Sequence, residues 1–320
     1  MPCRDEFVGG DGEALQVKIA VFSRLRPWAT GQPEAQWERC AAEARRRGHE
    51  IRAADVAAFV TGQVEVVVGH SIYVGGVRVD DVDAVILGPL PGPAALTSPP
   101  GQTLSSEVHA ELTTAQYARH VLAWSIVIDL EARGVPVLSS PTRARPFDFK
   151  PTQLMALRRA GLPVPPTRIG SSDVDDAAAA IDKAVSGGPV HSAHAHHGLV
   201  IRQPRLRGVD LRAVVVGNQV VAQGRFPGDD DVIDLRLRPS FIDGSARWQR
   251  DDDPVVAALA LRATAVCQCD FAAVDLKRTA DGVIVLEVNR TPVVVDIEDD
   301  LEVPITSAFI DLVEKRAREK

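Results

Sequence analysis

The sequence predicts an α/β protein, mixed α+β in character, organised in two units. Three observations carry this. Short apolar runs alternate with helical stretches over the first 145 residues, and the chain beyond residue 198 reads mainly as strands. The length, 320 residues of which 45% are hydrophobic, suffices for two or three compact domains with their own cores.

Residues 1–16 (MPCRDEFVGGDGEALQ) lack a hydrophobic core and carry acids early, so they read as a disordered leader and not as a secretory signal. The GGDG at 9–12 precedes the first strand instead of following one, and so lacks the context of a dinucleotide fingerprint. Residues 17–22 (VKIAVF) form a buried strand. A helix from Glu34 to Arg47 stops at Gly48 with arginines in its last turn, and the Arg45–Arg47 cluster is expected on its solvated face. A second strand follows near Ile51, then a hairpin-like pair at Val64–Val68 and Val77–Val79, and the strand DAVILGP at 83–89. Residues 88–106 are a long Pro-, Gly-, Ser- and Thr-rich loop, of a length that is usually functional or disordered. A helix over 107–133 ends before Gly134, and PVLSSP at 136–141 reads as one more strand. The first domain is expected to span 17–145.

The second unit, 146–320, opens on Lys150-Pro151, with Pro151 suited to a first helical position. Gly161 closes that helix and PVPPT (163–167) runs out extended. An Ala- and Asp-rich helix is expected over 173–185, followed by GGPVHSAHAHHG (187–198). LVIRQ and DLRAVVVGNQVVAQGR are strands; a polar loop, a helix over 253–268 and strands at 271–277 and 283–289 follow. At the end Ile305, Ala308, Phe309, Leu312 and Val313 recur at helical spacing behind Pro304, an amphipathic helix.

Composition excludes several classes. A formal net charge of −7 lacks the basic footprint that non-specific nucleic-acid binding needs. No apolar run approaches the roughly 18–20 residues of a membrane span, so the expected setting is cytoplasmic, without nucleic-acid or membrane partners. Cys3, Cys40, Cys267 and Cys269 are too few for a disulfide framework. The C-x-C at Cys267 and Cys269 could invite a metal, but its apolar surroundings favour two cysteines packed as small hydrophobes.

The informative stretch is FAAVDLKRTADGVIVLEVNRTP (271–292). Two strand-like runs flank an Ala-Asp-Gly turn. A three-residue loop over Ala280–Gly282 pairs Thr279 with Val283, and therefore Asp275 with Glu287. Asn289 then shares the face of Glu287, while Ile284, Leu286 and Val288 take the other. Adjacent carboxylates on a half-buried sheet repel unless a cation lies between them, and oxygen-only donors suit Mg²⁺. A solvated hairpin face is the alternative, and Lys277 shares that face.

On these residues the chain resembles the ATP-grasp carboxylate–amine ligases of the RimK-type and glutathione-synthetase-like branch. The family pattern is an Asp on one strand, a turn, then Glu-Val-Asn and a small residue before Pro, here Asp275, Glu287-Val288-Asn289 and Thr291-Pro292. Lys150 with AGLPVPPT, and Gln203 with GVDLRAVVVGNQVVA (208–222), are similar to further family segments. The tail DIEDDLEVPITSAFIDLV resembles the ligases that crosslink ribosomal peptides into graspetides. The resemblance implies a pre-ATP-grasp α/β domain followed by a two-lobed ATP-grasp domain, with a smaller nucleotide lobe at 146–202 and a metal-binding lobe at 203–320. It implies ATP and one or two Mg²⁺ as cofactors, the metal held by Asp275, Glu287 and Asn289. Lys150 would contact phosphate, Gln203, Pro204 and Arg205 would form the adenine hinge, and Asp210 would meet the ribose. Arg212 and Arg236 would steady phosphate or an acyl-phosphate, their forked guanidinium pairing with two oxygens at once. Both arginines also read as surface residues, and Lys150 as an ordinary helix-start lysine.

The implied reaction joins a carboxylate to an amine or hydroxyl through an acyl-phosphate, on an amino acid, a small peptide or a precursor peptide; a homo-oligomer is left open. One departure stands against it. The family carries a second phosphate lysine on a strand before a Gly-rich loop, and GGPVHSAHAHHG has glycines but no lysine, with His191 in the vacated place. His191, His194, His196 and His197 also allow a metal-binding loop, or a plain flexible one. The alternative function is therefore a degenerate, non-catalytic member that binds a nucleotide or a peptide.

Overall fold

The computed structural model describes residues 16–23, 33–88, 90, 105–171, 180–184, 191–192, 199–227 and 239–320. Residues 1–15 of the expected leader, most of the Pro-rich loop, Arg236, and His194, His196 and His197 lie outside the described residues.

The first unit runs β1 (Lys18–Ser23), α1 (Pro33–Arg46), β2 (Glu50–Asp55), α2 (Ala57–Thr61), β3 (Val64–Val67), β4 (Ser71–Val74), β5 (Val77–Arg78), β6 (Ala84–Leu87) and α3 (Ser106–Ala132). β1 is flanked by β2 and β6, both parallel to it. Both its faces are covered, as a parallel sheet requires: Ile19 and Val21 pack towards α1, Ala20 and Phe22 towards α3. The expected hairpin is a three-stranded meander, because Ser71–Val74 lies between the two valine runs and pairs with both. Its alternation of buried Ile72 and Val74 with half-buried Ser71 and Tyr73 is the strand signal that was passed over. The strand expected at 136–141 reduces to a single parallel bridge, Val85 to Val137.

The second unit continues with a 3₁₀ turn at Arg145–Asp148, α4 (Lys150–Arg159), β7 (Arg168–Ser171), β8 (Ala180–Ala184), β9 (His191–Ser192) and β10 (Leu199–Pro204). These strands form an antiparallel sheet in the order β7-β10-β8-β9. The helix expected over 173–185 is not formed at its C-terminal end, where residues 180–184 are a strand paired with β10; residues 172–179 lie outside the described residues. Alanine-rich composition favours a helix by propensity, but pairing along β10 overrides it. Lys183 now stands on a strand, opposite Ile201, directly before the glycines at 187 and 188.

The last lobe comprises β11 (Val209–Val216), β12 (Gln219–Phe226), α5 (Pro239–Ile242), β13 (Gln249–Arg250), α6 (Pro254–Val266), β14 (Phe271–Thr279), β15 (Gly282–Asn289), α7 (Val295–Leu301) and α8 (Ile305–Arg318). Its sheet is antiparallel, in the order β13-β12-β11-β14-β15. One face packs on α6 through Leu211, Ala213, Val274, Leu276, Val285 and Val288. Cys267 and Cys269 are buried in that core as free thiols, burial holding the Cys267 thiol up at about 12, which fits packing and not metal ligation.

α8 fastens this lobe to the first unit. Ile305, Phe309, Ile310, Leu312 and Val313 are buried, and Phe309 stacks on Phe271 with ring centroids 4.4 Å apart. At about 1.5–3 kcal/mol for each such side chain buried, this face is a main attachment between the units. Arg47 adds to it and departs from the expected solvated face: it donates to Glu43, Asp311, Glu314 and Ser307 with its side chain only 17% exposed. Arg46, 70% exposed, keeps the surface position.

Candidate functional site

The site is built on one face of β11, β14 and β15. Arg212 pairs with Asp275 and Asp275 with Glu287, so the three residues form a row across adjacent strands. Asp210 and Lys277 make the next row, and Asn289 lies opposite Ala273. Partners in an antiparallel ladder point to the same side, which gathers these groups away from the α6 core.

The pairing of Asp275 with Glu287 arises by a different route from the one expected. Thr279 pairs with Gly282, not Val283, so the turn has two residues, Ala280 and Asp281, and Gly282 carries a φ of +128°. A bulge between Asp275 and Leu276 then absorbs one extra residue of β15. It also changes the faces. Val283, Val285 and Val288 pack with the α6 core, whereas Leu286 joins Glu287 in lining a cleft.

Lys150, at the first turn of α4, holds Glu287 with Nζ 2.9 Å from Oε2. The helix is fixed there by Gln153, one turn further and 4% exposed: its Oε1 accepts from Val288 N–H at 2.9 Å and its Nε2 donates to Val288 O at 2.8 Å. This bidentate clamp ties the lysine's helix to the glutamate's strand and was not recognised from sequence. Its signal was position, three residues after Lys150 on the same helical face. Arg212 forks onto Asp275, Nε to Oδ1 at 2.7 Å and Nη2 to Oδ2 at 3.2 Å. Asn289 Nδ2 donates to Asp275 Oδ2 at 2.9 Å. Asp210 accepts from Lys277 Nζ at 3.1 Å. The structure thus places Lys150, Asp275, Glu287, Asn289, Arg212 and Asp210 on one connected surface, with Asp210 one row out.

Gln203 reaches the same cleft from β10. It is 3% exposed, its Nε2 donates to Thr167 Oγ1 at 2.9 Å, and it lines the narrow space shared by Lys150, Gln153, Leu154, Ile201, Leu286 and Glu287. Pro204 ends β10 and Arg205 follows it, so the chain crosses from one sheet to the other beside this cleft. A larger groove of about 690 Å³ on the far side of α4, lined by Met155, Pro165, Pro166 and Ile169, carries no carboxylate among its described residues. Arg158 and Arg159 also line that groove, whereas the carboxylate Glu287 lines the smaller cleft.

Gly208 sets the entry to β11. Its φ is +140°, and a Cβ there would lie 2.0 Å from the Arg278 carbonyl oxygen. Only glycine lets β11 approach β14 closely enough to align Asp210 with Lys277 and Arg212 with Asp275. Burial pulls the Arg212 guanidinium down, but the carboxylates of Asp275, Asp296 and Glu287 together raise it. Asp296, at the start of α7, is pushed up by burial, only partly countered by Arg212, and its Oδ1 has no hydrogen-bond partner among the described residues.

The donor set fits a magnesium ion. Asp275 and Glu287 supply carboxylate oxygens in register, and Asn289, its Nδ2 turned to Asp275, has its amide oxygen left to donate. Among the described residues no group of three His, Cys, Asp or Glu side chains forms a self-sufficient metal cage.

Comparison with known proteins agrees with this geometry. Residues 203–313 match the model of the RimK-like ATP-grasp domain. A probable alpha-L-glutamate ligase of Hydrogenovibrio crunogenus is 30% identical over 225 residues, covering 61% of this chain and 72% of the relative. The enzyme of the same description from Stenotrophomonas maltophilia is 38% identical over 111 residues, spanning 34% of this chain and 36% of its own length. The chain belongs to the RimK-like ATP-grasp family of ATP-dependent ligases. Among solved structures, the ATP-grasp ligase PsnB, complexed with a phosphomimetic variant of a minimal precursor, Mg and ADP, superposes with a TM-score of 0.69 at 23% identity, over 94% of this chain and 99% of that one. The macrocyclase MdnC of Microcystis aeruginosa MRC, bound with precursor peptide MdnA, gives 0.68 at 16% identity over 93% and 99%. These likenesses establish the fold. Among the described residues no helix is long and apolar enough to cross a membrane.

Proposed function

We propose that this enzyme joins a carboxylate to an amine or hydroxyl on an amino acid or peptide, through an acyl-phosphate made from ATP. The observation that carries the reading is that Lys150 holds Glu287 in the cleft that Gln203 lines from β10, with Asp275 paired to Glu287 across the strands and hydrogen-bonded to Asn289. Lys150 and Arg212 now neutralise Glu287 and Asp275, and both cations stand where transferring phosphoryl oxygens need charge. Asp275, Glu287 and Asn289 would hold magnesium, which supplies charge neutralisation on the phosphoryl oxygens. Gln203, Pro204 and Arg205 form the adenine side of the cleft and Asp210 the ribose side. Arg236, outside the described residues, is assigned to the acyl-phosphate with Arg212.

A substrate carboxylate oxygen attacks the γ-phosphorus, and ADP leaves. The amine or hydroxyl then attacks the acyl carbon, losing its proton as phosphate departs. No protein nucleophile is used. The domain division follows the same reading: 17–145 on the substrate side, 146–202 over the nucleotide, 203–320 under the metal.

The degenerate, non-catalytic alternative rested on a missing lysine. Lys183 on β8 supplies a lysine on a strand, with Gly187 and Gly188 after it in the sequence, and we assign it to the nucleotide phosphates. The relatives named as glutamate ligases, and the ligases bound to precursor peptides, support an acidic amino acid or an acid-bearing peptide as the carboxylate donor. ADP release is the test. Incubation with Mg–ATP and glutamate-containing peptides should give ADP stoichiometric with a product lighter than the summed substrates by one water. ADP without such a product, or neither, refutes the ligase reading.

A further inference from the structure

Outside the nucleotide cleft, two guanidinium groups stand over one indole. Arg145, in the 3₁₀ turn, has its Cζ 4.3 Å from the ring centroid of Trp124 on α3. Arg290, at the end of β15, has its Cζ 5.3 Å from the same ring. Arg290 is 9% exposed along its side chain and forks onto Asp148, Nε to Oδ1 at 2.6 Å and Nη2 to Oδ2 at 2.7 Å. Its third nitrogen, Nη1, is buried without a hydrogen-bond partner among the described residues. Arg145 has no carboxylate partner among the described residues; its Nη2 donates to His120 Nε2 at 3.1 Å, which makes that imidazole nitrogen the acceptor.

The charges do not balance. Asp148 pairs with Arg290, and half-buried Arg145 shares the indole with no carboxylate of its own among the described residues. The face of an indole attracts a cation only weakly and cannot stand in for a counter-charge. A buried N–H donor without a partner is costly, more so on a charged group. The arrangement persists because the seam is fixed from other directions. Ser139, held at a φ of +57° and 2% exposed, donates through Oγ to Phe271 O at 3.1 Å and Arg290 O at 3.4 Å. A carboxylate carries two oxygens, one for Arg290 Nη1 and one for the guanidinium of Arg145.

We propose that Arg145, Arg290 and Trp124 form a carboxylate-binding site at the seam between α3 and the end of β15, which takes a free acidic side chain of the ligand. It is distinct from the nucleotide cleft, yet joined to it through Asp148, two residues before Lys150, and Arg290, next to Asn289. Planar carboxylates suit two guanidiniums better than a point anion does, because each oxygen meets its own fork. Taking the carboxylate from the substrate rests on the ligase reading; binding itself does not.

The test uses the full-length protein with N-acetylglutamate as probe and intrinsic tryptophan fluorescence as readout. A saturable emission change is expected, absent with N-acetylglutamine and absent in Trp124→Phe. Arg145→Gln, which loses one hydrogen bond and leaves the core intact, should raise the Kd at least tenfold, while calorimetric Mg–ATP affinity stays unchanged. Unchanged N-acetylglutamate affinity in Arg145→Gln overturns the proposal, as does saturation by inorganic phosphate but not by N-acetylglutamate. Because Mg–ATP binding is measured separately, failure of the nucleotide reading leaves this result interpretable.

Discussion

Replacing Lys150 by methionine separates a structural role from a nucleotide role. The ammonium sits 2.9 Å from Glu287 Oε2, and the two side chains are 19% and 29% exposed. A pair so close to solvent contributes about 0.5–1 kcal/mol to folding. Gln153 keeps α4 on β15 without the lysine, through two hydrogen bonds to Val288. Stability should therefore fall by no more than about 1 kcal/mol. A lysine–phosphate contact is a charge-assisted hydrogen bond of about 1.5–3 kcal/mol, which converts to a roughly 10- to 150-fold rise in Kd for Mg–ATP. Calorimetric titration of Mg–ATP, with urea unfolding on the same samples, gives both numbers. If Lys150→Met lowers stability by several kcal/mol and leaves nucleotide affinity intact, the lysine is a fold residue and its phosphate role is refuted.

Lys183→Met should weaken Mg–ATP binding by a similar factor while Lys183→Arg retains part of it; indifference of both would return the protein to the non-catalytic reading. Gly208→Ala combines a φ of +140° with a Cβ 2.0 Å from Arg278 O, and should cost about 3 kcal/mol or more in urea unfolding. Gly282→Ala has a φ of +128° but no atom within 4 Å, so it is the milder change; equal costs would show that the close strand approach is not limiting. At the α1–α8 attachment, Glu43 is held at about 2 by Arg46 and Arg47, against an ordinary 4.5. Its folded value is depressed, so its contribution is complete above about 4.5 and is lost as pH falls towards about 2. The stability margin of the protein over Glu43→Gln, followed by tryptophan fluorescence, should shrink from pH 5 to pH 3; a constant margin would exclude the linkage.

Much of this was legible in the sequence because periodicity reports burial directly. The α8 stripe, the Pro151 start of α4 and the two strands of the β14–β15 hairpin follow from spacing alone, since an apolar face has to be covered. Turn register was not legible. A two-residue turn with a bulge and a three-residue turn without one give the same Asp275–Glu287 pairing, but opposite fates for Val285 and Leu286. β8 was lost because local propensity and long-range pairing disagree over an alanine-rich run, and with it went the strand position of Lys183. Arg47 was misread for a related reason: a helix-end arginine looks solvated until the partner helix, more than 250 residues away in sequence, is in place. Gln153 had no composition signal at all, since a buried glutamine is recognisable only once the Val288 backbone is opposite it.

The central claim is that Asp275, Glu287 and Asn289 bind the nucleotide through magnesium. The direct measurement is ATP affinity with Mg²⁺ and with EDTA, in the native protein and in Glu287→Gln. The account predicts that Mg²⁺ tightens ATP binding at least tenfold in the native protein and leaves Glu287→Gln nearly unaffected. An equal magnesium effect in both proteins, or none in either, would contradict it.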